Sequence, residues 1–159
     1  MILTGMLLLA ASAAAGASPT VTAKWSCADR GEGFAYYSGD VRVVDDSCEI
    51  RASRAYVYMD GTNKLHRVVA FGGVVVTNGV RRAYGDRLSY YHDTGIVVVA
   101  SGSGRVAEAF GGLNDPQAPV RGRKVRLWTQ SGQVEVLESE IAVAGQNESR
   151  RVFNGTFGK

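Results

Sequence analysis

The chain has 159 residues, a net charge of +3 and a sequence pI near 9.0, a length that suits one domain with a single modest core. Twenty glycines, only three prolines and many valines and tyrosines favour a β-sheet with tight turns and argue against a helical bundle. After the N-terminal segment, no stretch of a dozen residues keeps apolar side chains at helical spacing, so we expect essentially no helix.

The N-terminal segment has the composition of a secretory signal. An apolar run begins at Ile2 and ends near Ala11, and small residues follow it. Residues 15–17 fit the small-x-small cleavage rule, with residues 13–15 as a second choice, so we expect residues 1–17 to be removed. The run lacks a preceding basic residue, but it is shorter than the roughly 20 apolar residues of a membrane span. We therefore expect an exported, cleaved protein, with an uncleaved anchor as the alternative.

Two cysteines lie in the exported part of the chain. An oxidising compartment would allow Cys27 and Cys48 to pair, so we expect a disulfide between them. Closing a loop of this length is worth roughly 3 kcal/mol in the chain-entropy description. The alternative is two unpaired cysteines that behave as small buried apolar side chains.

Three segments of the chain repeat one pattern of a strand, a turn and a second strand. They begin at Ala52, Gly85 and Gly122, so their spacing is 33 residues and then 37. The longer interval contains residues 111–119, whose turn residues and two prolines predict a loop. Periods of this size are typical of stacked architectures in which no single unit buries its apolar face alone.

Alternation within the repeats predicts which side chains face the interior. Arg54, Arg87 and Lys124 occupy one column of the repeat and are charged in every copy, so this column should face water. The next column and the one two residues beyond it are apolar, and the alternation continues after the glycines near residues 39, 72 and 102. The residues predicted to face inward are Val41, Val43, Ala55, Val57, Val74, Val76, Leu88, Tyr90, Val106, Val125, Leu127, Val134 and Val136.

Glycines just before the inward valines predict kinks that bend the sheet onto itself. The expected architecture is all-β, an elongated roll of short antiparallel strands with an apolar interior and two open ends. We expect residues 18–144 to form this domain and residues 145–159, which lose the alternation, to form a flexible tail.

The two ends of the predicted roll show little protection against pairing with another chain. The first strand, about residues 20–28, and the last, about residues 132–143, contain no proline. We therefore expect head-to-tail self-association. The alternative is that the tail or the segment before Trp25 covers an edge and keeps the protein monomeric.

The ordered series of motifs resembles the OstA-like, or LptA-like, domain family of lipopolysaccharide export. The family's small-Asp-Arg strand start appears at residues 85–87, its turn ending in glycine at residues 93–95, and its Gly-Asn-Val-x-Val strand at residues 39–43. The resemblance covers about residues 25–143. It implies an open-ended β-jellyroll in the periplasm, which agrees with the roll inferred from the repeats.

The resemblance also implies a function. Such proteins carry lipopolysaccharide between the inner and outer membranes, so the inward residues named above would hold the acyl chains of its lipid A portion. The implied partners are further copies of the chain and the related jellyroll domains of the inner- and outer-membrane export components. Two alternatives are a self-assembling structural roll, whose interior would be filled, and the periplasmic domain of another export component.

The sequence shows no catalytic or metal-binding motif. His66 and His92 lie at no metal-ligand spacing and beside no nucleophile, so we expect them in turns or at the surface. Turns and solvent-facing positions account for Asp45, Asp60 and the other aspartates. We therefore expect no enzymatic activity, no metal and no other cofactor.

A basic cluster is the remaining candidate site. Arg121, Arg123, Lys124 and Arg126 lie within six residues of one another. Because export argues against nucleic acid as a partner, we expect this rim to contact the phosphates of an anionic glycolipid. The alternative is that these cations are solvated residues of strand faces and turns.

Overall fold

The computed structural model describes residues 19–29, 31–79, 81–102, 105–110 and 119–138. Its strands are β1 (Thr20–Thr22), β2 (Trp25–Asp29), β3 (Phe34–Val44), β4 (Glu49–Met59), β5 (Leu65–Asn78), β6 (Arg81–Tyr91), β7 (Ile96–Ala100), β8 (Ala107–Phe110), β9 (Val120–Gly122), β10 (Lys124–Trp128) and β11 (Val134–Glu138). The described residues contain no helix, so the all-β prediction is confirmed, and no helix there could cross a membrane. The predicted signal segment and the tail after residue 144 lie outside the described residues, as does most of the loop at 111–119.

All eleven strands belong to one antiparallel sheet, which divides into two half-sheets. β3 pairs with β2 through residues 34–38 and with β1 through residues 42–44. β6 likewise pairs with β8 through residues 82–84 and with β7 through residues 87–91. The first half-sheet therefore holds β1, β8, β9 and one end of each long strand β3 to β6. The second holds β2, β7, β10, β11 and the other ends of those strands.

Bulges bend the long strands where the two half-sheets meet. Gly39 and Asp40 have φ of 80° and 49°, and Gly72 and Gly73 have φ of 81° and 56°. This left-handed region favours glycine, and the strand register shifts at both places. A third shift in register falls between Arg51 and Arg54. The predicted kinks at the glycines before Val41 and Val74 are therefore confirmed.

The core lies between the two half-sheets, as the alternation predicts. One cluster of buried apolar side chains includes residues of both half-sheets, such as Val43 and Val76 of the first and Val57 and Leu88 of the second. Arg54 and Arg87 face solvent, and Lys124 is half-buried. The sheet is therefore folded over so that its apolar face packs against itself.

The alternation fails at one predicted inward residue. Val106 precedes β8 and is only half-buried, whereas Ala107 and Ala109 are the buried residues of that strand. β7 ends at Ala100 and β8 begins at Ala107, so the alternation resumes one residue later than the sequence suggested. Val134 and Val136 of β11 are half-buried, and Val134 packs against the core.

The predicted disulfide is wrong, because both cysteines are free. Cys27 is exposed on β2 opposite Tyr36, whereas Cys48 is buried beside Asp45, at the far end of β3. The two cysteines therefore lie near opposite ends of β3, on different half-sheets, whereas a disulfide requires Cα atoms within about 7 Å. Burial raises the pKa of the Cys48 thiol to about 12.

The end of the roll formed by β2 is open. All five residues of β2 are exposed, on both of its faces, and the strand pairs only with β3 among the described strands. Tyr37, on the adjacent strand, is half-buried against the core, and burial raises the pKa of its hydroxyl. The second half-sheet therefore extends beyond the cover of the first at this end.

Candidate functional site

The candidate site is the apolar interior between the half-sheets. Ten of its thirteen sequence-predicted residues are buried, with exposed fractions from 0% to 8%. They are Val41, Val43, Val74 and Val76 of the first half-sheet and Ala55, Val57, Leu88, Tyr90, Val125 and Leu127 of the second. Because these side chains pack against one another, the interior is filled and is not an open groove.

Other interior residues were not singled out by the sequence reasoning. Ile50, Val68, Val97 and Val99 are buried in the same cluster, with exposed fractions no higher than 2%. Val97 and Val99 belong to the nearly continuous valine run of β7, in which alternate residues are buried. β6 pairs with β7 so that Val99 lies opposite Leu88. This register indicates that Val97 and Val99 face the interior.

We call the line where the free ends of the half-sheets meet, opposite the bend, the seam. At one position along the seam, the Asn78 side chain at the end of β5 donates a hydrogen bond to the backbone carbonyl of Thr129, at 2.6 Å. At another, the hydroxyl of Tyr90 in β6 donates to the carboxylate of Asp45 in the β3–β4 turn, also at 2.6 Å. These hydrogen bonds join residues of opposite half-sheets, so they close the interior along this side.

Asp45 is the centre of a polar cluster at the seam. Its side chain is only 2% exposed, and its Oδ2 atom also lies 3.0 Å from Nδ1 of His92. The hydroxyl of Ser47 lies 2.7 Å from that of Tyr90. The other carboxylate atom, Oδ1, is buried without a hydrogen-bond partner among the described residues. A hydrogen bond to a charged group is worth about 1.5–3 kcal/mol, so Tyr90 contributes to keeping the seam closed.

This cluster corrects two sequence-based expectations. Asp45 was expected at a turn or in solvent, and although it does begin a turn, its side chain is buried. Tyr90 was expected to be a purely apolar interior residue, yet its hydroxyl is hydrogen-bonded. Burial, together with the Asp45 carboxylate, raises the pKa of that hydroxyl above its usual range. The expectation for His92 is confirmed, because it lies in the β6–β7 turn and is partly exposed.

The predicted basic rim does not form one exposed cluster of unpaired charges. Arg121 pairs with Glu108 of β8 at 2.7 Å, and Arg126 pairs with Glu135 of β11 at 3.0 Å. The Arg126 guanidinium also lies 5.6 Å from the ring centre of Trp128. Arg123 is exposed and Lys124 is half-buried, and both have contacts of their own. The charges of Arg121 and Arg126 are therefore paired with carboxylates of neighbouring strands.

An aromatic surface on the outside of the second half-sheet was not identified from the sequence. The rings of Trp25, Tyr36, Tyr56 and Phe71 form a continuous series across β2 to β5, with centroid distances from 4.9 to 6.3 Å. Offset and edge-on ring pairs of this kind stabilise neighbouring strands. Trp25 is 55% exposed, which leaves the β2 end of the series open to solvent.

No metal site is evident in the part of the chain that the structure describes. No group of three or more His, Cys, Asp or Glu side chains there could hold a metal ion. The only histidine–carboxylate contacts among these residues are His92 with Asp45 and His66 with Asp93, each a single pair at about 3 Å.

The fold is similar to that of one solved transport protein. The crystal structure of LptH from Pseudomonas aeruginosa, described as the LptA-homologous periplasmic component of the lipopolysaccharide transport device, matches with a TM-score of 0.65 and 19% sequence identity. The match covers 83% of this chain and 90% of that one, and it supports the predicted open-ended β-jellyroll. A comparison with curated proteins gave no match.

A sequence-based family model gives a second line of evidence, which does not depend on this structural similarity. The model described as LptA/(LptD N-terminal domain) LPS transport protein matches residues 20–133, which include β1 to β10 and the whole of the bend. The matched region also contains nearly all of the buried interior, from Val41 to Leu127. The chain therefore belongs to the LptA/(LptD N-terminal domain) family of lipopolysaccharide transport proteins.

Proposed function

We propose that the protein binds lipopolysaccharide in the periplasm and carries it between the inner and outer membranes, with the acyl chains between the two half-sheets. The observation that carries this proposal is the match of residues 20–133 to a family of lipopolysaccharide transport proteins. The continuous apolar interior is consistent with such a cargo, because each CH₂ group transferred from water is worth about 0.8 kcal/mol.

The filled interior sets a condition on this function. Acyl chains require the half-sheets to move apart, since residues such as Val57 and Val99 have no exposed surface. The bulges at Gly39–Asp40 and Gly72–Gly73 supply a bend on one side of the interior. On the other side, the described seam is closed by a few polar contacts, including Asn78 with Thr129 and Asp45 with Tyr90. Separation at the seam is therefore the route that breaks the fewest strand pairings.

A photo-crosslinker placed in the interior tests this proposal. At Leu88, which is 1% exposed in β6, the crosslinker should capture lipopolysaccharide in cells. At Arg54, which is exposed on β4, it should capture little. Equal capture at both positions, or none at Leu88 in a protein that still folds, would contradict the proposal.

Assembly into a bridge is the second part of the proposal. Among the described strands, β2 pairs only with β3 and β11 pairs only with β10, so each leaves one edge without a partner. An edge at each end allows head-to-tail stacking, in which the last strand of one copy pairs with the first of the next. The related jellyroll domains of the membrane-bound export components would be bound in the same way at the two ends of the stack.

The filled interior also favours a second candidate function, a self-assembling structural roll without lipid cargo. Both candidates use the same open edges, but only the carrier exposes its interior to lipid. Capture at Leu88 therefore distinguishes them, because a structural roll would give none there while still assembling.

A further inference from the structure

A small pocket of about 20 Å³ lies at the seam near the β10–β11 turn. Its apolar floor contains residues of both half-sheets, namely Val76, Ala83, Val97 and Leu127. Asn78 and Thr129 also line it, and the Asn78 side chain donates a hydrogen bond to the Thr129 carbonyl. Arg81 and Arg82 line it as well. The pocket therefore joins the apolar interior to a positively charged opening.

Two buried polar atoms of residues that line this pocket have no hydrogen-bond partner within the described part of the chain. They are Nε of Arg81 and Oγ1 of Thr129, and both can donate a hydrogen bond. A buried donor without a partner is unfavourable, so a ligand that supplies acceptor oxygens would be favoured here. Among the described residues that line the pocket there is no aspartate or glutamate to balance the charge of the arginines.

The neighbouring turn leaves room for the Arg81 guanidinium. Gly132 has φ of 68°, and a Cβ atom at this position would overlap the Arg81 guanidinium. Glycine therefore permits a close approach of the guanidinium to the backbone of the 129–133 turn. The planar group lies at the wall of the pocket, where it can bind two oxygens of one anion.

We propose that this seam pocket binds a phosphoryl group of the transported glycolipid, with Arg81, Thr129 and Arg82 as its ligands and the attached acyl chain directed onto the apolar floor. The inference rests on the proposed lipid-carrier function and deepens it by locating the charged part of the cargo at the seam. While the seam is closed the pocket has room for little more than one water molecule, so the phosphoryl group enters as the half-sheets separate.

Binding of fluorescent lipid A to the full mature chain tests the assignment. Wild-type protein should bind phosphorylated lipid A about tenfold or more tightly than the dephosphorylated lipid, which is the effect expected of one charge-assisted hydrogen bond. The double variant Arg81→Gln/Arg82→Gln should lose this preference. Arg54→Gln removes a charge from an exposed position on β4 and should keep it.

A second variant controls for the possibility that the double variant loses its preference because it misfolds. Thr129→Val removes the unpartnered hydroxyl with little change in volume, and it should reduce the preference for the phosphorylated lipid while the thermal transition stays near that of the wild type. Inorganic phosphate forms a third arm of the experiment. If it competes as strongly as lipid A at equal concentration, the pocket binds free phosphate and the lipid assignment is overturned.

The outcomes separate this inference from the proposed function. An unchanged preference in the double variant and in Thr129→Val overturns the seam-pocket assignment, even when capture at Leu88 persists. Absence of capture at Leu88 with both lipids overturns the carrier function. Loss of the preference in the variants, with Leu88 still capturing dephosphorylated lipid, supports both proposals.

Discussion

Asp45 places a negative charge where the half-sheets meet, and its two carboxylate oxygens differ in their hydrogen bonding. Oδ2 has partners in Tyr90 and His92, whereas Oδ1 is buried without one. A buried carboxylate loses the hydration that it has in water, and one satisfied oxygen restores only part of that loss. Separation of the half-sheets would hydrate Oδ1, so this residue lowers the free-energy cost of opening relative to an apolar seam.

The two cysteines give a prediction about the reactivity of individual side chains. With iodoacetamide at neutral pH, the native protein should take up one label per chain, at exposed Cys27. Cys48 should stay unlabelled because it is buried and its pKa is raised to about 12, which leaves almost no reactive thiolate. Denaturation without a reductant should raise the count to two, as measured by mass spectrometry.

A single-cysteine variant is the control for that experiment. Cys27→Ser should give no label in the native state and one after denaturation. A wild-type chain that takes up no label when denatured and unreduced would instead contain the disulfide that the sequence suggested.

The strands show where sequence reasoning succeeds and where it stops. Alternation is local, so the inward positions of Val57, Leu88 and Val125 could be predicted, as could the bends before Val41 and Val74. The seam could not be predicted. Asp45 and Tyr90 are 45 residues apart in the chain, and their contact depends on how the two half-sheets close over each other. No pattern within one repeat contains that information.

The pairing of β3 with β4 gives a pH-dependent prediction. Glu49 of β4 lies 2.9 Å from Arg42 of β3 and 2.6 Å from Arg51. Hydrogen bonds from Arg42 and then Arg51 lower the pKa of Glu49 from 4.5 to about 2. Because the folded-state pKa is the lower one, this stabilisation is complete above the unfolded-state value and is lost as the pH falls from about 4.5 towards 2.

Urea unfolding of Glu49→Gln measures this contribution. The variant should be less stable than wild type by about 1 kcal/mol at pH 7, a size typical of partly exposed ion pairs. The difference should vanish near pH 2. Glu32→Gln changes an exposed carboxylate that has no ion pair among the described residues, so it should have little effect at either pH. A destabilisation by Glu49→Gln that does not vary between pH 7 and pH 2 would contradict the assignment.

For the whole molecule, the open edges predict a mass that depends on concentration. Light scattering of the wild type should show a mass that rises with concentration and does not stop at two chains, since a head-to-tail contact does not close on itself. Val136→Pro in β11 and Ala28→Pro in β2 each remove a backbone donor from one terminal strand. Each variant alone should remain a single chain.

Mixing the two proline variants makes this prediction specific. Each variant keeps one intact end, so an equimolar mixture should reach the mass of two chains and no more. Circular dichroism should show that both variants retain their β-structure. A wild type that stays monomeric at high concentration, or a mixture that forms long assemblies, would contradict head-to-tail pairing through these edges.

The order of the strands also has a consequence for how the chain folds. From β3 to β7 each strand pairs with the next one along the chain, across turns such as residues 45–48 and 92–95. Closing such short loops costs little entropy, so these hairpins can form early even though the protein is all-β. The Asn78–Thr129 contact spans 51 residues and must wait for β10. A chain that emerges from a membrane with its N-terminus first would therefore build its sheet hairpin by hairpin and close the seam last.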